Sequence, residues 1–180
     1  PTLTYHEGIP GHHLQGTLAL EAGLPEIRKV QFFSGYGEGW ALYAEELAVE
    51  MGAYADDPLG HVGQLHDAMF RAVRLVVDSG MHAMGWSREK AIAFFTDTIG
   101  DPETVATTEV ERYCIWPGQA CSYMLGKIDW LRLREKAKAE LGPRFDIRKF
   151  HDAGLLPGAM PRTVLDQCID AYIAEEKGAH

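Results

Sequence analysis

Positive charge is scarce in this chain: 17 Lys and Arg stand against 26 Asp and Glu, a formal net charge of −9 over 180 residues. Nucleic acid is therefore a poor partner, because its phosphate backbone calls for a basic face. Long apolar runs are missing too, and none approaches the roughly 20 residues of a membrane-spanning helix. No secretory signal precedes the first motif. A cytoplasmic location is favoured on that ground. Secretion or lipid anchoring stays open, because the chain starts at Pro1, abruptly ahead of its most distinctive motif. That start reads as a truncation or processing point. Cysteine is limited to Cys114, Cys121 and Cys168, an odd number without zinc-finger spacing, which suggests reduced and buried thiols. Internal repeats and low-complexity segments are absent. What remains, 46% hydrophobic and 24% charged, is the composition of a globular domain with enough chain for one core.

Strand-like alternation is also absent, and nearly every segment reads as helix broken at Gly, Pro or Asp. The spacing predicts helices over about 4–22, from just after Phe33-Ser34-Gly35 through Glu38 to Glu50, and from Pro58 to Met84. In the last, Leu65, Met69, Val73 and Val76 form one stripe expected to be buried. Ser87 should cap a helix ending near Gly100, and Asp101-Pro102 should cap and start the next, which ends before Pro117. Further helices are expected over 118–141, 146–153 and 162–177. Linkers are too short to divide the chain, so the expectation is one all-α domain spanning 1–180.

The chemistry concentrates in His6-Glu7-Gly8-Ile9-Pro10-Gly11-His12-His13. Zinc peptidases carry H-E-x-x-H on a helix, two histidines binding the metal and the Glu serving as general base. Here the next histidines follow His6 by six and seven residues. On an unbroken helix the first faces the opposite side, and the second lies about 10 Å further along. Both spacings fail unless the helix is interrupted. Pro10 lacks an N–H and clashes with the preceding turn, while Gly8 and Gly11 allow unusual dihedrals. If two residues bulge out, His12 takes the second position. An ordinary histidine-rich surface loop is the bland alternative.

The same stretch resembles the H-E-x-x-P-G-H signature of the bacterial family known as domain of unknown function 885. Glu38-Gly39-Trp40-Ala41-Leu42-Tyr43-Ala44-Glu45, Val77-Asp78-Ser79-Gly80-Met81-His82 and Pro117-Gly118-Gln119-Ala120-Cys121-Ser122-Tyr123 match in the same order. That family looks like a distant relative of gluzincin-like helical zinc peptidases such as angiotensin-converting enzyme and thimet oligopeptidase. The resemblance implies a helical zincin-like catalytic half, the C-terminal, metal-carrying part of a longer protein. It implies zinc held by His6, His12 and Glu38, with the family motif favouring His12 over His13. Glu7 would be the general base and Glu45 an acceptor orienting a ligand histidine. Tyr123, then Tyr113, are the candidates for donating to an oxyanion or touching substrate. His82 is a further donor candidate, or else part of an Arg74-Asp78-His82 ladder along one helix. Arg112 is expected to fork onto a substrate carboxylate or to pair with Glu109 or Glu111.

Three functions compete on these residues. The first is a zinc-dependent peptidase acting on short peptides. The second is a non-catalytic helical domain that keeps the motif to bind a metal or a partner. The third, a di-iron bundle, needs Glu-x-x-His pairs, and no Glu in the chain has a His three residues on. The peptidase is preferred. Phe32, Phe33, Trp40, Trp86, Phe94, Phe95, Trp116 and Trp130 are more large aromatics than the chain readily surrounds. Some should therefore be exposed, to be covered by an N-terminal half or by self-association.

Overall fold

The computed structural model describes residues 1–178, and among these every regular element is a helix. In chain order they are α1 (Thr2–Glu7), α2 (His12–Glu21), α3 (Glu26–Lys29), α4 (Ser34–Glu50), α5 (Pro58–Met84) and α6 (Arg88–Ile99). Then follow α7 (Glu103–Ile115), α8 (Gln119–Leu141), the 3₁₀ turn Gly142–Arg144, α9 (Ile147–Leu155) and α10 (Arg162–Gly178). Two differences from the expected segments concern the start. The motif does not sit on one bulged helix but on two, α1 and α2, separated by Gly8–Gly11, and the four-residue α3 is new.

The pair α4 and α8 forms the axis of the molecule. Their backbones touch where a Cβ on Gly126 would lie 2.0 Å from the Gly35 carbonyl oxygen and 2.5 Å from the Gly39 Cα. Only glycine permits that approach. On one side, Tyr36, Trp40, Tyr43 and Leu47 of α4 recur at helical spacing. They pack with Trp130 and Leu133 of α8, Phe150 of α9, and Leu165 and Ile169 of α10. On the other side, Val73 and Val77 of α5 join Phe95 of α6, Val110 and Tyr113 of α7, and Ala120 of α8. The α4 helix is buried on nearly all faces, which accounts for its richness in Gly and Ala.

The caps follow the sequence in part. Asp57 accepts from Gly60 N–H at 2.8 Å at the start of α5, and Ser87 accepts from Lys90 N–H at 3.2 Å at the start of α6. Asp101 caps nothing: α7 begins after Pro102 without a side-chain cap, and Asp101 instead accepts from His66 Nε2 at 3.0 Å. The expected buried stripe of α5 is also corrected. Val73 is buried, but Leu65 (57% exposed), Met69 (40%) and Val76 (44%) face outward. The inward face carries Gln64, Arg74, Val77 and Asp78 instead, because this side of α5 meets polar groups of α7 and α8. Cys114 is exposed on α7, and Cys121 and Cys168 are half-buried, so none is the buried thiol expected. Of the aromatics, Trp40, Trp130 and Phe95 are buried, whereas Phe32 and Trp116 are exposed.

One core group gives stability a pH dependence. The Tyr43 hydroxyl donates to His151 Nε2 at 2.9 Å and accepts from Arg134, which is itself forked onto Glu50 at 2.9 and 2.8 Å. Burial, then the Arg134 charge, push His151 down from 6.5 to about 4. Below the higher value the unfolded chain binds a proton that the folded chain refuses. His151 therefore adds stability fully above about pH 6.5, lost as pH falls toward about 4. Thermal melts should show a smaller loss across that window in His151→Gln, which keeps a neutral acceptor for Tyr43.

Candidate metal centre

The turn between α1 and α2 brings the two histidines together. The Ile9–Pro10 bond is cis, and Gly11 lies so close beneath α1 that a Cβ there would sit 1.8 Å from the His6 carbonyl oxygen. Trp40 holds the turn from α4, its indole N–H donating to the Pro10 carbonyl at 2.9 Å and to that of Gly11 at 3.3 Å. The His6 and His12 rings then meet edge to face with centroids 4.9 Å apart. Glu38 reaches them from the first half of α4. Its Oε2 lies 3.4 Å from His6 Nε2 and 3.3 Å from His12 Nε2. One ligand atom from each of His6, His12 and Glu38 falls within 4.8 Å of the others, a spacing that suits a single metal ion.

Glu45, two helical turns beyond Glu38, is buried and accepts from His6 Nδ1 at 2.7 Å. That bond holds a proton on Nδ1 and leaves Nε2 facing Glu38 and His12. Burial opposes charge on His6, but hydrogen bonds to Glu38 and Glu45 outweigh it and push the imidazole up to about 9. Glu38 responds in the opposite direction. Burial would raise its carboxyl, yet the bonds to His12 and His6 draw it down to about 2. The pocket thus gathers negative charge around two nitrogen donors, the electrostatics of a cation site. Glu7 is exposed at the end of α1 and makes no side-chain hydrogen bond among the described residues. His13 is exposed and lies outside the metal-ligating group.

Tyr123 of α8 stacks beside His6, ring centroids 6.5 Å apart and planes at 20°. Its hydroxyl oxygen accepts from Arg112 Nη2 at 3.2 Å and from Gln119 Nε2 at 3.5 Å. Arg112 also donates to Gln119 Oε1 at 2.8 Å and lies 3.7 Å from Glu109, so it pairs with Glu109 and not with Glu111. The other expected residues are placed differently. Tyr113 is wholly buried and its hydroxyl donates to Glu109 at 2.9 Å, which makes it a core residue and not a substrate contact. The Arg74-Asp78-His82 ladder does not form, because each side chain crosses to another helix. Arg74 forks onto Glu109, Asp78 accepts from Gly118 N–H, and His82 Nε2 donates to the Tyr113 carbonyl at 2.9 Å. That bond ties His82 to the backbone of α7. Sequence reasoning passed over Trp40 as a brace of the turn and Arg71, whose guanidinium lies 5.2 Å from the Tyr123 ring centroid.

The profile of a family described as "Bacterial protein of unknown function (DUF885)" matches residues 1–169. Among solved structures, a "putative lipoprotein" from Colwellia psychrerythraea is similar at 48% identity and a TM-score of 0.94, over 97% of this chain and 30% of its own. A "putative lipoprotein of unknown function" from Shewanella oneidensis is similar at 26% identity and a TM-score of 0.85. That match covers 92% of this chain and 30% of its own. The chain therefore spans under a third of the length of either relative. No curated protein matches it. No helix among the described residues is long and apolar enough to cross a membrane.

Proposed function

Since the chain belongs to the bacterial protein family of unknown function DUF885, we propose from the chemistry of its site that it carries the catalytic centre of a zinc-dependent peptidase acting on short peptides. The observation behind this reading is the convergence of His6, His12 and Glu38 within 4.8 Å at a break between two helices. The donor set fits zinc. Two imidazoles and one carboxylate are the three protein ligands of a hydrolytic zinc site, with a position left for water or substrate. Glu45 on the far nitrogen of His6 is the outer support such sites use.

Zinc bound there would supply Lewis acidity toward water and a peptide carbonyl. Glu7, adjacent to His6, exposed and without a side-chain hydrogen bond among the described residues, takes the proton from the attacking water and passes it to the leaving amine. Tyr123 donates its hydroxyl proton to the carbonyl oxygen as charge develops on it. Arg112 and Gln119 both donate to that hydroxyl oxygen, so the tyrosine's own proton stays available.

The remainder of a longer protein would complete the cleft. The outward apolar residues of α5, with Phe32 and Trp116, are the surface such a segment would cover. The description of both solved relatives as lipoproteins favours a lipid-anchored or secreted location over the cytoplasmic one that the sequence alone favoured. The test uses the whole protein, zinc-loaded, with a panel of short peptides. Hydrolysis should stop on chelation and return with added zinc. Bound zinc with no hydrolysis of any peptide would favour the non-catalytic reading instead.

A further inference from the structure

Arg71 stands apart from the other arginines near the site. Arg74 forks onto Glu109, and Arg112 is engaged by Gln119 and Tyr123. Arg71 makes no hydrogen bond and no salt bridge among the described residues, and its Nε is shut off from solvent without a partner. Its guanidinium lies 5.2 Å from the ring centroids of both Phe70 and Tyr123, and the Arg74 guanidinium lies 4.7 Å from the same Tyr123 ring. Two guanidinium groups thus share one aromatic ring, and Arg74 Nη1 is likewise buried without an acceptor. Like charges brought together in a partly dry site call for a counter-ion. Among the described residues a carboxylate lies within salt-bridge distance of Arg74 but not of Arg71, on which Glu45 and Asp67 act only as more distant charges. Burial, then the Arg74 charge, lower the Arg71 pKa, the direction expected of a cation lacking its anion.

We propose that Arg71 is the substrate-carboxylate residue of this site and grips the C-terminal carboxylate of a short peptide. The proposal rests on the peptidase reading and supplies its substrate class. Its geometry follows from Tyr123. The guanidinium is 5.2 Å from the ring centroid of Tyr123, and that centroid is 6.5 Å from the one of His6. Placed end to end these separations bound the distance from Arg71 to the His6 ring at about 12 Å. An extended peptide advances roughly 3.3–3.6 Å per residue, so a separation of this order sets the carboxylate about two to four residues from the scissile bond. The planar fork suits a carboxylate held through two parallel N–H bonds. The role expected for Arg112 passes to Arg71, and Arg112 positions the Tyr123 hydroxyl instead.

The test measures binding apart from turnover. Full-length, zinc-loaded protein carrying Glu7→Gln is titrated calorimetrically with an acetylated tripeptide, with its C-terminal amide, and with amides bearing Asp or Asn. The free acid should bind about tenfold or more tightly than the amide, and Arg71→Met should reduce that preference to within about threefold. Arg71→Lys should keep part of it as a point charge. Zinc content should be unchanged in both variants, and the melting temperature of Arg71→Met should be unchanged or raised, because Arg71 makes no hydrogen bond or salt bridge among the described residues and its charge lies unpaired beside Arg74. A preference that survives Arg71→Met, or none in the parent protein, overturns the proposal. So does an unfolded Arg71→Met, which would give the residue a structural role. Preference for the Asp side chain over the C-terminal carboxylate would overturn the C-terminal assignment. Hydrolysis and zinc content of the unsubstituted protein, measured in parallel, report on the peptidase reading separately.

Discussion

Glu7→Gln is expected to keep one zinc per chain while losing peptide hydrolysis by about 10²-fold or more. The separation follows from position. Glu7 is the last residue of α1, exposed, and outside the group of three whose ligand atoms lie within 4.8 Å of one another. An amide of the same shape fills its place but accepts no proton from water, so the metal site survives while the chemistry stops. Zinc analysis and hydrolysis of the same preparation decide the matter. Loss of zinc along with activity would put Glu7 among the ligands and contradict the proposed role.

Gly11→Ala is expected to disable the metal site without touching any ligand. A Cβ there would stand 1.8 Å from the His6 carbonyl oxygen and 2.4 Å from that of Tyr5. These are backbone atoms of α1 and cannot turn aside as a side chain would. The turn has to shift, taking His12 away from Glu38 and breaking the Trp40 bonds to the Pro10 and Gly11 carbonyls. Overpacking of this kind costs about 1–3 kcal/mol, read as a lowered melting temperature. Zinc affinity should fall by more than the roughly 10–100-fold that follows loss of an outer support to a ligand. Retention of full zinc affinity would mean that the turn is not what sets the spacing of His6 and His12.

Much of this architecture is written locally. Asp57-Pro58 and Ser87 mark helix starts because their side chains and ring act within one turn. The need for a break between His6 and His12 follows from helical geometry alone. The form of the break does not, because it depends on Trp40, about 30 residues away, reaching back to two carbonyls. The buried face of α5 is not legible in the sequence for a related reason. Hydropathy assigns Gln64, Arg74 and Asp78 to solvent, but here they are buried, with Arg74 and Asp78 bonded to α7 and to the N-terminus of α8. Tyr113 and Tyr123 are alike in sequence terms and both buried, but their neighbours differ. One is enclosed by the core and bonded to Glu109, while the other lies beside His6. Arg71 carries no local signal at all. An arginine on an amphipathic helix reads as solvated, and only the packing of α5 against α8 reveals that it lacks a partner.

Metal analysis of three purified proteins tests the central claim most directly: the unsubstituted chain, His12→Ala and His13→Ala, each supplied with zinc and dialysed at neutral pH. His12 faces Glu38 at 3.3 Å, whereas His13 is exposed and outside the ligand group. One zinc per chain is expected in the unsubstituted protein and in His13→Ala, with almost none in His12→Ala. Zinc lost from His13→Ala but kept by His12→Ala, or absent from all three, would contradict the assignment of His6, His12 and Glu38 as the metal ligands.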